Sequence, residues 1–214
     1  MSELPPAVPA ATVIVVRDTS QGVEVLLLKR SEVGAFANYW VFPGGRIDDT
    51  DLGADEIERA RSAAVREAKE EVGLVINPEL THPYSHWTPP AIQPRRFATW
   101  FFVAHWGGDD VSIDGHEIVD HCWMTPERAI AEQMLMAPPT IVTLHELAEA
   151  GSFAATRRTE YPRWVTRPTK SAADVPVLLW HGDAGYETLD AEVPGPRNRL
   201  WYPADGPWTY ERSN

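Results

Sequence analysis

Arg66-Glu67-Ala68-Lys69-Glu70-Glu71-Val72-Gly73-Leu74 is the stretch around which the rest of the chain is read. It sets three carboxylates within five residues, between an alanine-rich run and a glycine. At about 100° per residue, Glu67, Glu70 and Glu71 share an arc of about 100° on a helix. Ala64, Val65, Ala68 and Val72 fall on the neighbouring arc, so one side can pack while the other holds acids. Like charges three and four residues apart repel. A helix that keeps three of them together is either a solvated face or a seat for a hard cation.

Upstream, Tyr39-Trp40-Val41-Phe42 leads into Pro43-Gly44-Gly45, which reads as a tight turn. Between turn and acids lie Asp48, Asp49, Asp51 and Asp55. They suggest a second cation site, but read first as a solvated surface loop. The helix is expected from about Asp55 to Val72, with Gly73 as its C-terminal stop. Within it stand Glu58, seven residues, Arg66-Glu67, an apolar residue, any residue, Glu70-Glu71, any residue, Gly73 and apolar Leu74.

This spacing resembles the Nudix box, in which a glycine precedes the first glutamate by six positions. From Glu58 to Leu74 every specified position matches. The matching glycine, Gly45, stands thirteen positions before Glu58, which implies a seven-residue insertion within 46–57. Leu26 to Ser31 before Phe42-Pro43-Gly44-Gly45, His86-Trp87-Thr88-Pro89, Arg95-Arg96-Phe97 and Pro138-Pro139-Thr140 look like the peroxisomal-type coenzyme A diphosphatase branch and its bacterial relatives. The signature of that branch is present in part: Leu28 replaces Thr, Ala35 stands for Arg and Tyr39 for Gly.

The resemblance implies an α/β/α sandwich with a mixed β-sheet, and a hydrolase cleaving a nucleoside diphosphate derivative. Coenzyme A or acyl-coenzyme A is one such substrate; ADP-ribose, NADH and nucleoside triphosphates are the alternatives. It also implies a Mg²⁺ or Mn²⁺ cofactor held by Glu67, Glu70, Glu71 and a carbonyl of Gly44-Gly45. Arg66 would orient a glutamate, and Glu67 or the later Glu117 would serve as base. Glu117 reads equally as a strand-edge residue, and His116 beside it as a substrate contact or a solvated group. Glu58 and Gly73 are structural support. Arg30, Arg46, Arg95 and Arg96 are candidate phosphate contacts, since guanidinium forks match phosphate oxygens; each reads also as a plain surface cation. Tyr39, Trp40 and Trp87 are candidates to stack on a purine. A non-catalytic Nudix-fold regulator is the rival reading. Intact Arg66, Glu67, Glu70 and Glu71 count against it.

Composition narrows the class. The 214 residues carry a net charge of −12, with no basic run longer than two. Nucleic acid is not an expected partner, because its affinity comes mainly from neutralised phosphates. The single Cys122 allows no internal disulfide, fits a reducing compartment and reads as core. No apolar stretch approaches ~20 residues and no signal peptide is read, so a cytoplasmic protein without a membrane span is expected. Members of the family often pair, and the tryptophan-rich tail would suit an interface.

Along the chain, 11–17 and 23–29 read as a hairpin around the turn at 18–22, followed by a loop over 30–38. A short strand is expected after Leu74, then a Pro- and aromatic-rich segment over 83–90. Strands follow at 95–104 and 117–123, and helices from Thr125-Pro126 and from Pro138 to a stop at Gly151. Beyond Ser152 the pattern weakens, with strands at 175–180 and 198–202. One domain is expected over 1–214, its core about 11–151 and a C-terminal extension about 152–214. Trp164, Trp180, Trp201 and Trp208 in that tail read as core and interface packing.

Overall fold

The computed structural model describes residues 6–92, 96–113 and 115–213. Strands β1 (Val8–Thr19) and β2 (Gly22–Arg30) form the expected hairpin, paired from Val16/Val25 to Thr19/Gly22. Beyond Val16 the two strands part. Into the gap come β3 (Trp40–Val41), paired with β2, and β4 (Gly44–Arg46), paired with β1. Pro43 is thus a bend between two short strands in a wedge, and Gly44-Gly45 opens the second of them rather than closing a tight turn. Helix α1 (Glu56–Val72) follows, then β5 (His82–Thr88), β6 (Phe97–His105) and β7 (Ile118–Met124). β1 runs parallel to β6 from Val8/Phe97 to Val16/His105, β5 is antiparallel to β6, and β7 covers the other edge of β2.

The strands alternate, so the sheet has two apolar faces. Val13 and Val15 of β1 face Ala60, Ala63, Ala64 and Ala68 of α1. Those alanines let the helix lie close to the sheet. Ile14 and Val16 join Ala129 of α2 (Pro126–Ala131) and Ile141, Leu144 and Leu147 of α3 (Pro138–Ala150). The result is the expected α/β/α sandwich around a mixed sheet.

The ends of α1 are set by its sequence. Asp55 accepts the Glu58 N–H at 2.9 Å, and the Glu58 carboxylate accepts the Ala54 N–H at 2.8 Å. Gly73 closes the helix with φ 72°, a left-handed value that glycine adopts without strain. No strand forms directly after Leu74; a 3₁₀ turn at Pro78–Leu80 occupies that place. The strand comes at His82, inside the proline-rich segment, because Pro83 sits at a register shift where its missing N–H costs no ladder bond.

The extension supplies β8 (Arg163–Val165), which pairs in parallel with β5. It also builds a separate antiparallel sheet of β9 (Arg167–Lys170), β10 (Pro176–Leu179), β11 (Arg197–Trp201) and β12 (Thr209–Ser213). Trp164, Leu178, Trp180 and Leu200 share one buried cluster with Ile14, Leu27 and Leu144. Trp164 stacks on Trp87 with ring centroids 5.1 Å apart. Trp201 and Trp208 stay partly exposed. Cys122 is half-buried on β7, at the margin of the core rather than inside it. Among the described residues no helix is long and apolar enough to cross a membrane.

Candidate functional site

The site forms where β4 passes the C-terminal half of α1. The Thr12 hydroxyl donates to the Pro43 carbonyl at 2.6 Å, and the Val13 N–H donates to the same oxygen at 2.9 Å. These bonds hold Gly44-Gly45 against the helix, and the Gly44 N–H donates to Glu71 Oε2 at 2.9 Å. Both glycines are needed for close approach. A Cβ on Gly44 would stand 2.5 Å from the Ala11 carbonyl oxygen, and one on Gly45 would overlap the Glu67 carboxylate. Gly45→Ala is therefore expected to displace Glu67 and lower kcat about 100-fold, as misplacement by ~1 Å does. Steady-state kinetics beside a circular-dichroism check of the fold would measure it.

The three helix acids differ in environment. Glu71 is buried, Glu67 half-buried and Glu70 exposed. Burial pushes the Glu71 carboxyl up to about 8, with the charges of Glu67 and Glu117 adding and the Gly44 N–H and Arg30 opposing. Burial also raises Glu67, against hydrogen bonds from Arg66.

Arg66 organises the cluster. Its Nη1 donates to Glu67 at 2.8 Å and to Glu70 at 3.0 Å. Its other side grips both oxygens of Asp51, each at 3.0 Å. Asp51 is buried, so the inserted loop is not wholly a solvated surface. Burial alone would raise the Asp51 carboxyl, but the bonds from Arg66 outweigh it and hold it below the usual range. The box insertion thus supplies the anchor for the arginine, and nothing in the spacing of four aspartates marks which one turns inward.

Arg30 forms the second hub. It pairs with Glu117, from the loop before β7, and stands 3.7 Å from Glu71. The structure therefore brings Arg30, Glu67, Glu70, Glu71, Glu117, Arg66, Gly44 and Gly45 together, with Glu58 and Gly73 at the two ends of α1. It does not bring in Arg46, which is exposed and offers only its carbonyl, to Arg66 at 3.0 Å. Trp40 lies beside Lys29, 6.0 Å from ammonium to ring centroid, and Tyr39 stacks edge-on with Phe36. Arg96 is half-buried just before β6, His116 is exposed, and Arg95 lies outside the described residues.

Among the described residues no three His, Cys, Asp or Glu side chains already converge on one ligand point. Glu67 and Glu70 are turned to Arg66, and Glu71 and Glu117 to Arg30. The donor set still fits a hard divalent cation: it is all oxygen, and after burial, the main cause, neighbouring negative charges also raise Glu67 and Glu71, a part that an added positive charge would relieve. Beside the cluster opens a pocket of about 300 Å³ that begins at Gly44, Gly45 and Arg30 and runs to Trp87 and Leu178. The sequence marked Trp87 but not the cavity, whose walls come from distant segments.

A model of the NUDIX domain matches residues 6–145. Among solved structures, a NUDIX hydrolase from Alicyclobacillus acidocaldarius is 20% identical, covering 70% of this chain and 94% of its own, with a TM-score of 0.62. The MutT protein from Methanosarcina mazei Go1 is 18% identical over 67% of this chain and 94% of its own, with a TM-score of 0.53. The NUDIX domain of Shewanella oneidensis NrtR, solved with ADP-ribose, is 18% identical over 68% and 89%, also at 0.53. At such identities the likeness is one of fold. No curated protein matches the chain.

Proposed function

This chain belongs to the Nudix domain family as a pyrophosphohydrolase, and we propose that it cleaves the diphosphate linkage of a nucleoside diphosphate derivative with the help of a divalent cation. The observation that carries the reading is Arg66 holding Glu67, Glu70 and Asp51 at once, beside a Glu71 carboxylate fixed by the Gly44 N–H. Glu67, Glu70, Glu71 and Glu117, with a carbonyl of Gly44 or Gly45, would hold Mg²⁺ or Mn²⁺. Such a cation supplies charge neutralisation at the diphosphate oxygens and Lewis acidity at the reacting centre.

The protein's own groups do the rest. Arg66 fixes the direction of two carboxylates by charge-assisted bonds, and Asp51 fixes Arg66. Arg30 keeps Glu71 and Glu117 on one side of the site. Glu67 is the base in this reading, because it is half-buried beside Gly45 and held by Arg66, with burial raising its carboxyl above the ordinary value; Glu117 is the second candidate. The extension works within the same domain, since its Trp164 and Trp180 share one buried cluster with Ile14 of β1 and Leu27 of β2.

Coenzyme A heads the substrate series, followed by acyl-coenzyme A, ADP-ribose, NADH and nucleoside triphosphates. Purified protein incubated with each, in Mg²⁺ or Mn²⁺, is expected to add water across one phosphoanhydride: coenzyme A, acyl-coenzyme A, ADP-ribose and NADH give two phosphate monoesters, and a nucleoside triphosphate gives a nucleoside monophosphate and pyrophosphate. Phosphopantetheine and 3′,5′-ADP as preferred products support the coenzyme A branch, and a preference for nucleoside triphosphates ends it. Binding of these compounds without any turnover would favour the non-catalytic regulator.

A further inference from the structure

We propose that the pocket beside the carboxylate cluster, closed on its far side by Thr166 and Leu178 of the C-terminal extension, receives the non-nucleoside group of the substrate, and that this group is uncharged and largely apolar. The inference rests on the diphosphate-hydrolase reading above. Gly44, Gly45 and Arg30 belong both to the pocket lining and to the carboxylate cluster, so a diphosphate held at the cluster can extend a substituent into the pocket. Its volume of about 300 Å³ is at the lower end for small-molecule sites.

The lining decides the chemistry. Rings of Phe36, Trp87, Phe97 and Phe101 make up much of the wall. Among its described residues Arg30 is the one ionisable group, and it is already paired with Glu117 and set near Glu71. Several hydroxyls are engaged within the protein. Thr12 donates to the Pro43 carbonyl, Thr99 donates to the Phe97 carbonyl at 3.3 Å, and Thr166 accepts the Trp180 indole N–H at 3.0 Å. A nucleobase, with donors and acceptors around its edge, would find few partners there. Among the described lining residues a second phosphate or a carboxylate would meet no cation besides Arg30, which already faces Glu117 and Glu71. An alkyl or ester chain meets neither penalty.

The extension makes this wall rigid. The Thr166 N–H donates to the Thr88 carbonyl at 3.0 Å, continuing the β5–β8 pairing. Leu178 lies on β10 and packs in the shared core with Trp180. Selection among diphosphates is thereby assigned to residues beyond the part of the chain that carries the carboxylates.

Three synthetic esters of ADP test the proposal: methyl, hexyl and 5-carboxypentyl, identical in nucleoside and diphosphate. With Mg²⁺-loaded enzyme, kcat/KM for the hexyl ester is expected to exceed that for the carboxypentyl ester about 100-fold and that for the methyl ester about 10-fold. Equal values, or a preference for the carboxylate, would overturn it. Should none be hydrolysed in Mg²⁺ or Mn²⁺, the hydrolase reading fails instead. Tryptophan-fluorescence titration then decides the pocket: tighter binding of the hexyl ester supports it, and equal affinity sinks it. The wall is tested separately with Leu178→Ala and the milder Leu178→Val. In whichever is folded, the ratio of decyl- to hexyl-ester kcat/KM is expected to rise several-fold; an unchanged ratio removes the extension from the pocket.

Discussion

Glu71→Gln and Glu70→Gln are each expected to lower Mg²⁺-dependent kcat by about 10³-fold while the protein stays folded. Glutamine keeps the volume of glutamate and still offers a carbonyl to the Gly44 N–H, so the contact at 2.9 Å survives in Glu71→Gln. What disappears is one negative oxygen facing the cation. At Glu70 the side chain is largely solvent-exposed, so its loss has little structural cost and the kinetic effect is the cleaner of the two. Near-normal turnover in both variants, with unchanged circular dichroism, would remove these residues from the metal site. The pair also separates roles, since a purely structural Glu71 would lower Tm as well as kcat.

The largest expected loss of stability is far from the cluster, in the extension. Asp183 and Arg199 are both buried and joined by two hydrogen bonds of 2.7 Å. Asp183 also accepts the N–H groups of Gly185 at 2.8 Å and Asn198 at 2.9 Å, and Arg199 Nη1 donates to the Ala191 carbonyl at 2.7 Å. Asp183→Ala leaves a buried guanidinium without its counter-charge, for a loss of about 3–5 kcal/mol. That is a large part of a typical total of ~5–15 kcal/mol. Urea unfolding of the two proteins measures it; a loss under about 1 kcal/mol would mean that water reaches Arg199.

The same bridge gives a pH dependence with a definite sign. Burial alone would raise the Asp183 carboxyl, but the hydrogen bonds from Arg199 and the two backbone N–H groups outweigh it and hold it below its usual 3.8. A depressed pKa contributes stability above the unfolded value, and that stability is lost as pH falls through the folded one. The unfolding free energy of the native protein is therefore expected to converge on that of Asp183→Asn below about pH 4. Parallel pH profiles would contradict it.

The parts of the fold that were legible in the sequence are those fixed by near neighbours. Helix α1 has its cap, its alanine face and its glycine stop within a few residues of one another, and it begins and ends close to where they place it. The β1–β2 hairpin follows from two β-branched runs and a turn. What escaped depends on distant contacts. Asp51 turns inward only because Arg66 lies beneath it. Gly44 and Gly45 join a strand only because β1 and β2 part to admit it. Strands β8, β9 and β12 are short, β9 and β12 are mostly polar, with sequences such as Arg-Pro-Thr-Lys, and none carries a periodicity to announce it. The meeting of Arg30 with Glu117 joins positions far apart in the chain, although the acid itself stood out as a candidate.

The parallel contact of β1 with β6 sets the order of events when the chain first folds. Val8 finds Phe97 only after β2, β3, β4, α1 and β5 have been made, and Trp87 finds Trp164 later still. Closing such long loops before any contact rewards it slows the search for the native state. The β1–β2 hairpin is the first part of the sheet able to assemble, before the local pair of β5 and β6. Its outer edges stay unpaired until β6 and β7 arrive, and its buried face stays open until the last third of the sequence completes the core.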